Sequence, residues 1–311
     1  MIAAATLATA KSGPVQRWLI GGWTRKQALL YNYKVLIKRH ELGATEMAVT
    51  GDFSAVRIEC KAGIRRAAEA LRRIGQEIGD LRCAPVHDFA DGSAMVDAEG
   101  NLLATDVFGW TGDDNHRWWD HISQIVLDSP ITTACRYESD PFWCNENGLF
   151  ARYNNPFFKS IDIVNLLERT GRLRPAIIAP VHLPFGRIGA ISFEWPDLHR
   201  SDLSKEYETY GDFLGVCSRI FVTDYVRLMC RNPGTVTDPR LSEHEVCCLR
   251  WAALGKTDEE IGLILSRSRA TVRFHLHNAT LKLASVNRSQ SVFKAAQLGY
   301  IGSTSTEVKL S

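Results

Sequence analysis

A chain of 311 residues with 45% hydrophobic and 23% charged side chains is long enough for about two domains, each with its own core. Its longest apolar runs, such as Pro175–Pro180, stop far short of the ~20 residues of a membrane-spanning helix, and the composition excludes collagen, a disulfide miniprotein and a wholly disordered chain. The net charge of +2 conceals an uneven distribution: +5 over residues 1–51, −7 over 52–239 and +4 over 240–306, with no Asp or Glu from Ile261 through Thr306. An acidic middle beside a basic C-terminal segment fits a nucleic-acid partner or a merely solvated basic face, and charge alone leaves both open.

Residues 1–54 read as a basic N-terminal extension of unassigned role, with a short helix over Gln27–His40 and an alternative start at Met47. The opening Met1–Ala10 lacks the positive segment and apolar core of a secretory signal. The eight cysteines include no Cys-x-x-Cys pair, so zinc-ribbon and thioredoxin readings lack their spacing. They are expected as reduced, mostly buried thiols of a cytoplasmic protein.

Residues 55–230 carry the pattern of a regulatory domain. Ile64, Ala67, Ala68, Leu71, Ile74 and Ile78 recur at helical spacing over Ala62–Ile78, with arginines between them. Ser93–Val96 and Leu102–Phe108 around a turn at Ala98–Asn101 predict a β-hairpin. Trp118–Leu127 and Ile161–Arg169 predict helices. Arg174–His182 and Arg187–Trp195 predict two strands joined at Pro184–Gly186, and Ser204–Met229 one long helix with a buried stripe through Tyr207, Leu214, Cys217, Phe221 and Tyr225. This order suits an α/β class fold, an α/β/α sandwich of the PAS or GAF type. Residues 231–239, rich in Pro, Gly and Asn, read as a linker.

Residues 240–302 predict an all-α module of four helices, with 303–311 as a tail. Ser242–Glu245 and Thr257–Glu260 have capping-box spacing. The first helix is expected to bury Val246, Leu249 and Ala253 and to stop at Gly255. After a turn at Ser266-Arg267, Ser268 caps a third helix to about Leu283, and Asn287 starts a fourth whose apolar residues serve the core or a dimer contact. Two short helices joined by a tight turn make a helix-turn-helix, whose second helix enters the major groove. Val272, Leu276, Ala279 and Leu283 form its buried stripe, and Arg269, Arg273 and His277 recur on a neighbouring face. Arg273 has the fork to grip guanine O6 and N7, His277 reaches a base edge or a phosphate, and Arg269, Thr271 and Lys282 suit phosphates.

Leu241–Val246, Trp251–Thr257, Glu260-Ile261, Thr271–His275, Asn278-Ala279, Lys282-Leu283 and Asn287-Arg288 together resemble the DNA-binding module of LuxR-type regulators. Arg267 departs from the pattern, standing where the family usually has an apolar residue; it loosens the turn packing or adds a phosphate contact. Response regulators share the module, but the acidic cluster of their receiver domain is not found in residues 52–230. In quorum-sensing members an Asp-Pro pair supplies the carboxylate that accepts the amide of an acyl-homoserine lactone, and Asp140-Pro141 matches that pair. The Trp and Tyr that grip the lactone head have no counterpart at the usual spacing, where Leu127 and Ile131 stand. Trp118 or Trp119 substitutes if Asp128–Arg136 is an inserted loop. With Phe142, Trp143 and Tyr153 they line a ligand cavity or simply fill a core.

The resemblance implies a cytoplasmic, dimeric regulator that binds double-stranded promoter DNA, as a homodimer or with a related chain, and contacts RNA polymerase; no membrane, metal or catalytic residue is expected. His116 and His121 have the wrong spacing for a metal pair. No cofactor is implied beyond a small-molecule ligand such as an acyl-homoserine lactone. Two alternatives stay open: a sigma-factor-like region, and a sensor or enzyme whose basic C-terminal module binds protein.

Overall fold

Burial of apolar stripes by short helices against a sheet shapes the computed structural model, which describes residues 53–110, 129–161, 174–196, 200–230 and 240–302. The helix expected over Ala62–Ile78 forms as α1, Ile64–Gly79, and its apolar stripe is buried as spaced. It ends where Asp80 turns left-handed and its N–H returns to Gln76 and Gly75. Strand β1, Arg82–Val86, follows at once. Its Pro85 cannot donate to a ladder, which suits the strand's place at the sheet edge.

The hairpin expected over residues 93–108 reduces to one bridge, Val96 to Leu102. Beyond it Leu103–Asp106 is a single helical turn, α2. The turn itself is organised by Asp97, whose buried carboxylate accepts the amides of Glu99 and Asn101 at 3.0 and 2.8 Å and the Asn101 side chain at 3.0 Å. Those bonds curl the chain so that Leu103 and Ala104 enter the core as a helix rather than as a second strand. Most of the segment that would have to be an inserted loop for Trp118 or Trp119 to substitute is helical, as α3, Pro130–Tyr137, with Pro130 in the first turn where its missing N–H costs nothing.

Two short strands that the sequence pattern did not announce, β2 (Phe142–Asn145) and β3 (Gly148–Ala151), form a hairpin. The two strands predicted around Pro184–Gly186 are β4, Ala176–Leu183, and β5, Arg187–Glu194. All five pair antiparallel in the order β1-β5-β4-β2-β3. Strand β4 lies centrally and is buried on both faces, hence its unbroken apolar run. At Gly189 a Cβ would lie 2.6 Å from the carbonyl oxygens of Val86 and His87, so β5 lets the end of β1 approach only because no side chain stands there. The long helix α4, Ser204–Met229, forms over its predicted span and packs with α1 on one face of the sheet, while α3 covers the other. The α/β/α expectation holds, with a five-stranded antiparallel sheet.

The C-terminal helices are α5 (Glu243–Ala253), α6 (Asp258–Leu265), α7 (Arg269–Lys282) and α8 (Arg288–Gln297). Each starts at its expected cap: Ser242 and Thr257 complete capping boxes, Ser268 accepts the Thr271 amide at 3.1 Å, and Asn287 accepts that of Gln290 at 2.8 Å. Their shared core holds Cys248, Leu249, Ile261, Val272, Leu276, Ala279, Leu283 and Ala295. Two expectations for α5 are corrected: Ala253 is exposed and Val246 only half-buried. The helix is rotated so that Glu245, Cys248 and Leu249 face inward. That rotation places the Glu245 carboxylate, 3% exposed, against Lys282 Nζ at 2.8 Å and the Ser242 amide at 2.7 Å. Gln297 of α8 also donates to the Phe185 carbonyl in the β4–β5 turn at 3.1 Å.

The Gln27–His40, Trp118–Leu127 and residue 231–239 expectations, and nearly all of Ile161–Arg169, lie outside the described residues. All eight cysteines are free thiols, five of them buried. Among the described residues no helix is long and apolar enough to cross a membrane.

Burial pushes the Asp97 carboxyl up, but its hydrogen bonds from Asn101, Glu99 and Arg65 outweigh that and hold it below the usual range. A carboxyl lowered on folding stabilises fully above about pH 5 and loses that contribution as pH falls through about 4 toward the folded value. Asp97→Ala is therefore expected to cost about 2 kcal/mol at pH 7, with the gap in urea midpoint narrowing from pH 5 to pH 2; a gap independent of pH would contradict this. For Glu245, burial is likewise outweighed by Lys282 and Ser242, leaving its carboxyl lowered. Lys282→Met strands that carboxylate. Since Lys282 is 41% exposed, the expected loss is only about 1–2 kcal/mol, read as a roughly tenfold drop in amide-exchange protection along α5 and α7.

Candidate nucleic-acid interface

The turn between α6 and α7 depends on close backbone contact. Ser266 adopts left-handed backbone (φ 52°), and the Arg267 N–H returns to the Gly262 carbonyl at 2.8 Å. A Cβ on Gly262 would lie 2.7 Å from the Arg267 carbonyl oxygen, so the crossing of the two helices needs glycine there. The Arg267 side chain is exposed and takes no part in the turn's core. Its departure from the family's apolar preference thus leaves the turn intact.

Helix α7 buries Val272, Leu276 and Ala279 and turns Arg269, Arg273 and His277 outward, so the expected face is presented as one row. Arg273 is 69% exposed, and its Nε stands 3.8 Å from Asp258, a loose contact. Asp258 is held more closely by Arg288, which also donates to the Lys256 carbonyl. The Arg273 fork therefore keeps most of its donors toward solvent. Thr271 is half-buried, with its hydroxyl 2.8 Å from Ser268 Oγ in the helix cap. Lys282, expected at a phosphate, instead donates to Glu245 and to the Arg240 carbonyl at 3.1 Å; its ammonium holds the module together. Sequence reasoning did not single out Phe274, which lies 60% exposed beside Arg273, nor Val286 and Phe293, exposed by 84% and 60% at and before α8. An exposed apolar residue carries no periodic signature, so nothing in the pattern could have marked them.

The expected ligand residues separate. Asp140 is exposed, and its N–H donates to Glu138 Oε1 at 3.1 Å. The Asp140 carboxylate is thus not buried as the acceptor that the resemblance implies. Pro141 is drawn onto α4, where a Cβ on Gly215 would lie only 2.6 Å from its ring, and its carbonyl accepts the Tyr207 hydroxyl at 2.9 Å. Seating the proline this way leaves the preceding carboxylate in solvent. Phe142 is fully buried, edge-on to Phe158 at 5.2 Å, and belongs to the core. Trp143 projects from the opposite face of β2, 4.4 Å from Tyr207 and 5.2 Å from Phe150. Tyr153, 74% exposed, stands at the rim of an open cavity of about 690 Å³ that Trp143, Phe150, Asn155, Phe158 and Lys159 also line. Trp118 and Trp119 lie outside the described residues.

Residues 239–295 match the family described as bacterial regulatory proteins, luxR family. The chain is 31% identical over 181 residues to the transcriptional activator protein AhyR of Aeromonas hydrophila, covering 58% of this chain and 67% of AhyR. It is 35% identical over 141 residues to the transcriptional activator protein VanR of Vibrio anguillarum, covering 43% of this chain, and there it spans only about half of the relative, 54% of its length. Among solved structures, Escherichia coli SdiA aligns over 88% of this chain and 99% of its own at 20% identity and a TM-score of 0.41. With a helix-turn-helix in the family's register and an identity above 30% across two thirds of AhyR, the chain belongs to the LuxR family of bacterial transcriptional regulators.

Proposed function

We propose that the protein acts in the cytoplasm as a dimer on double-stranded promoter DNA, with α7 in the major groove. The observation that carries this reading is the outward row of Arg269, Arg273 and His277 on a helix whose opposite side is fixed in the module core. Arg273 supplies the base-reading fork, Arg269 and the exposed Arg267 meet phosphates, and the Thr271 hydroxyl, beside the Ser268 cap, suits a phosphate oxygen. A single recognition helix reads only a few base pairs, so two copies, or one copy with a related chain, are needed for a full site. Val286, just before α8, and Phe293, on it, supply apolar surface for that pairing. Contact with RNA polymerase follows if the protein activates, as the names of VanR and AhyR describe those relatives. The same names favour a regulator over an enzyme. The free state of all eight cysteines suits a reducing compartment.

Control by a small molecule is the second part of the reading. The cavity beside β3 offers aromatic walls from Trp143, Phe150 and Tyr153 with polar groups from Asn155 and Lys159, a combination suited to an amphipathic ligand such as an acyl-homoserine lactone. Ligand binding then shifts the population of DNA-competent dimers.

Arg273→Ala is expected to weaken binding to a duplex selected by the wild-type chain from a random pool by about 1–3 kcal/mol, while random-sequence binding changes little; unchanged preference refutes the base-reading role. Wild-type affinity should fall with a log–log salt slope of about −0.9 per phosphate contacted, and failure to retain any duplex at low salt removes the DNA reading altogether. For the ligand, native mass spectrometry of protein expressed with and without acyl-homoserine lactones should show a retained mass and a raised melting temperature. Trp143→Ala should abolish both; absence of retention and of any thermal shift in the wild type counts against the lactone.

A further inference from the structure

Where β1 ends and α4 ends, three side chains of metal-binding type meet. His87 follows β1, Asp91 stands one turn of chain beyond it, and Cys230 is the residue after α4. A nitrogen, an oxygen and a sulfur from these three lie within 4.8 Å of one another. His87 is 1% exposed, with its Nε2 3.0 Å from Asp91 Oδ2. Its Nδ1 is buried without any hydrogen-bond partner. Whichever nitrogen carries the proton, Nδ1 is left unmatched, either as a donor with no acceptor or as an acceptor with no donor. A buried imidazole in that condition asks for an explanation in a ligand.

The donor set identifies the class of ligand. Imidazole, thiolate and carboxylate together suit a borderline divalent ion such as zinc, and three protein donors leave the fourth tetrahedral position to water or a small molecule. Zinc bonds of about 2.0–2.3 Å set the donors roughly 3.3–3.8 Å apart, so closure requires movements of about 1 Å. Asp91, whose side chain is 45% exposed, and Cys230, half-buried, have room for them. His87 does not have to move: it is fixed by the close approach of β1 to Gly189 and by the Tyr225 ring 5.5 Å away. The other charges here are Asp88, 6% exposed, and Arg187, whose Nε is 3.5 Å from Asp88. The charge of Arg187 also reaches Asp91 and Cys230 and favours their ionised forms, while the carboxylates of Asp88 and Asp91 and a thiolate at Cys230 offset it around the ion.

We propose that His87, Asp91 and Cys230 form a binding site for one zinc-like divalent cation. Coordination converts the Cys230 thiol to a thiolate and releases one proton, with no change of oxidation state. The ion ties the loop after β1 to the last turn of α4, at the residue from which the chain continues toward the DNA-binding module.

The test is titration of the metal-stripped, reduced full chain with Co²⁺. One equivalent is expected to produce a thiolate-to-cobalt charge-transfer band in the near ultraviolet and the visible bands of tetrahedral cobalt, both erased by added Zn²⁺. Cys230→Ser should lose the charge-transfer band and bind zinc roughly tenfold or more weakly. Asp91→Asn should keep the band and weaken binding, and Cys60→Ser, at an exposed cysteine elsewhere, should behave as wild type. Absence of the band at stoichiometric Co²⁺, or its persistence in Cys230→Ser, overturns the proposal. Comparing the metal-free melting temperatures of wild type and Cys230→Ser separates loss of ligand from loss of fold.

Discussion

A buried carboxylate accepting backbone N–H groups is the interaction on which the arrangement of this protein rests. Asp224 of α4 accepts the Ile58 amide at 3.1 Å and is flanked by Arg57 and Arg227, which fixes the chain leading into α1 against the long helix. Asp97 gathers the loop before α2, and Glu245 joins the start of α5 to the end of α7. Each segment would otherwise bury amides without acceptors, a larger penalty than the small net gain of an ordinary hydrogen bond. Part of the acidic surplus of residues 52–239 therefore does its work inside the fold rather than on the surface. The surplus is a structural quantity as well as an electrostatic one.

The same logic orders the C-terminal module. Glu245 lies almost wholly inside, so α5 must turn it inward, and that choice expels Ala253 and recruits Lys282. With Lys282 engaged at its last turn, α7 can vary only its outward row without disturbing its seat. Packing and solvent exposure are thereby assigned to different faces of one helix. The loose 3.8 Å contact between Arg273 and Asp258 sits at the boundary between them: close enough to hold the side chain near the outward row, too open to occupy its fork.

How much of this was legible depended on how far the information travels along the chain. Helix caps act over three residues, so Ser242, Thr257, Ser268 and Asn287 announced all four C-terminal helices. Long periodic stripes announced α1 and α4 equally well. Strands β2 and β3, of four residues each, are too short to display alternation, and Pro85 disguised β1. Asp140-Pro141 was read for its acid, whereas the fold uses its proline, because the deciding partner is Gly215 on a distant helix. The grouping of His87 and Asp91 with Cys230 is invisible in sequence for the same reason: only the pairing of β1 with β5 and the course of α4 bring them together.

The turn between α6 and α7 is defined by an atom that is missing. Because the Arg267 carbonyl occupies the space a side chain at position 262 would need, the geometry of the reading head is encoded upstream of the turn, in Gly262. Position 267 is thereby released from packing. Charge can accumulate there, next to the outward row of α7, without renegotiating the fold. The exposed arginine there belongs to a scaffold that fixes its turn through the backbone and leaves the outer surface open to charge.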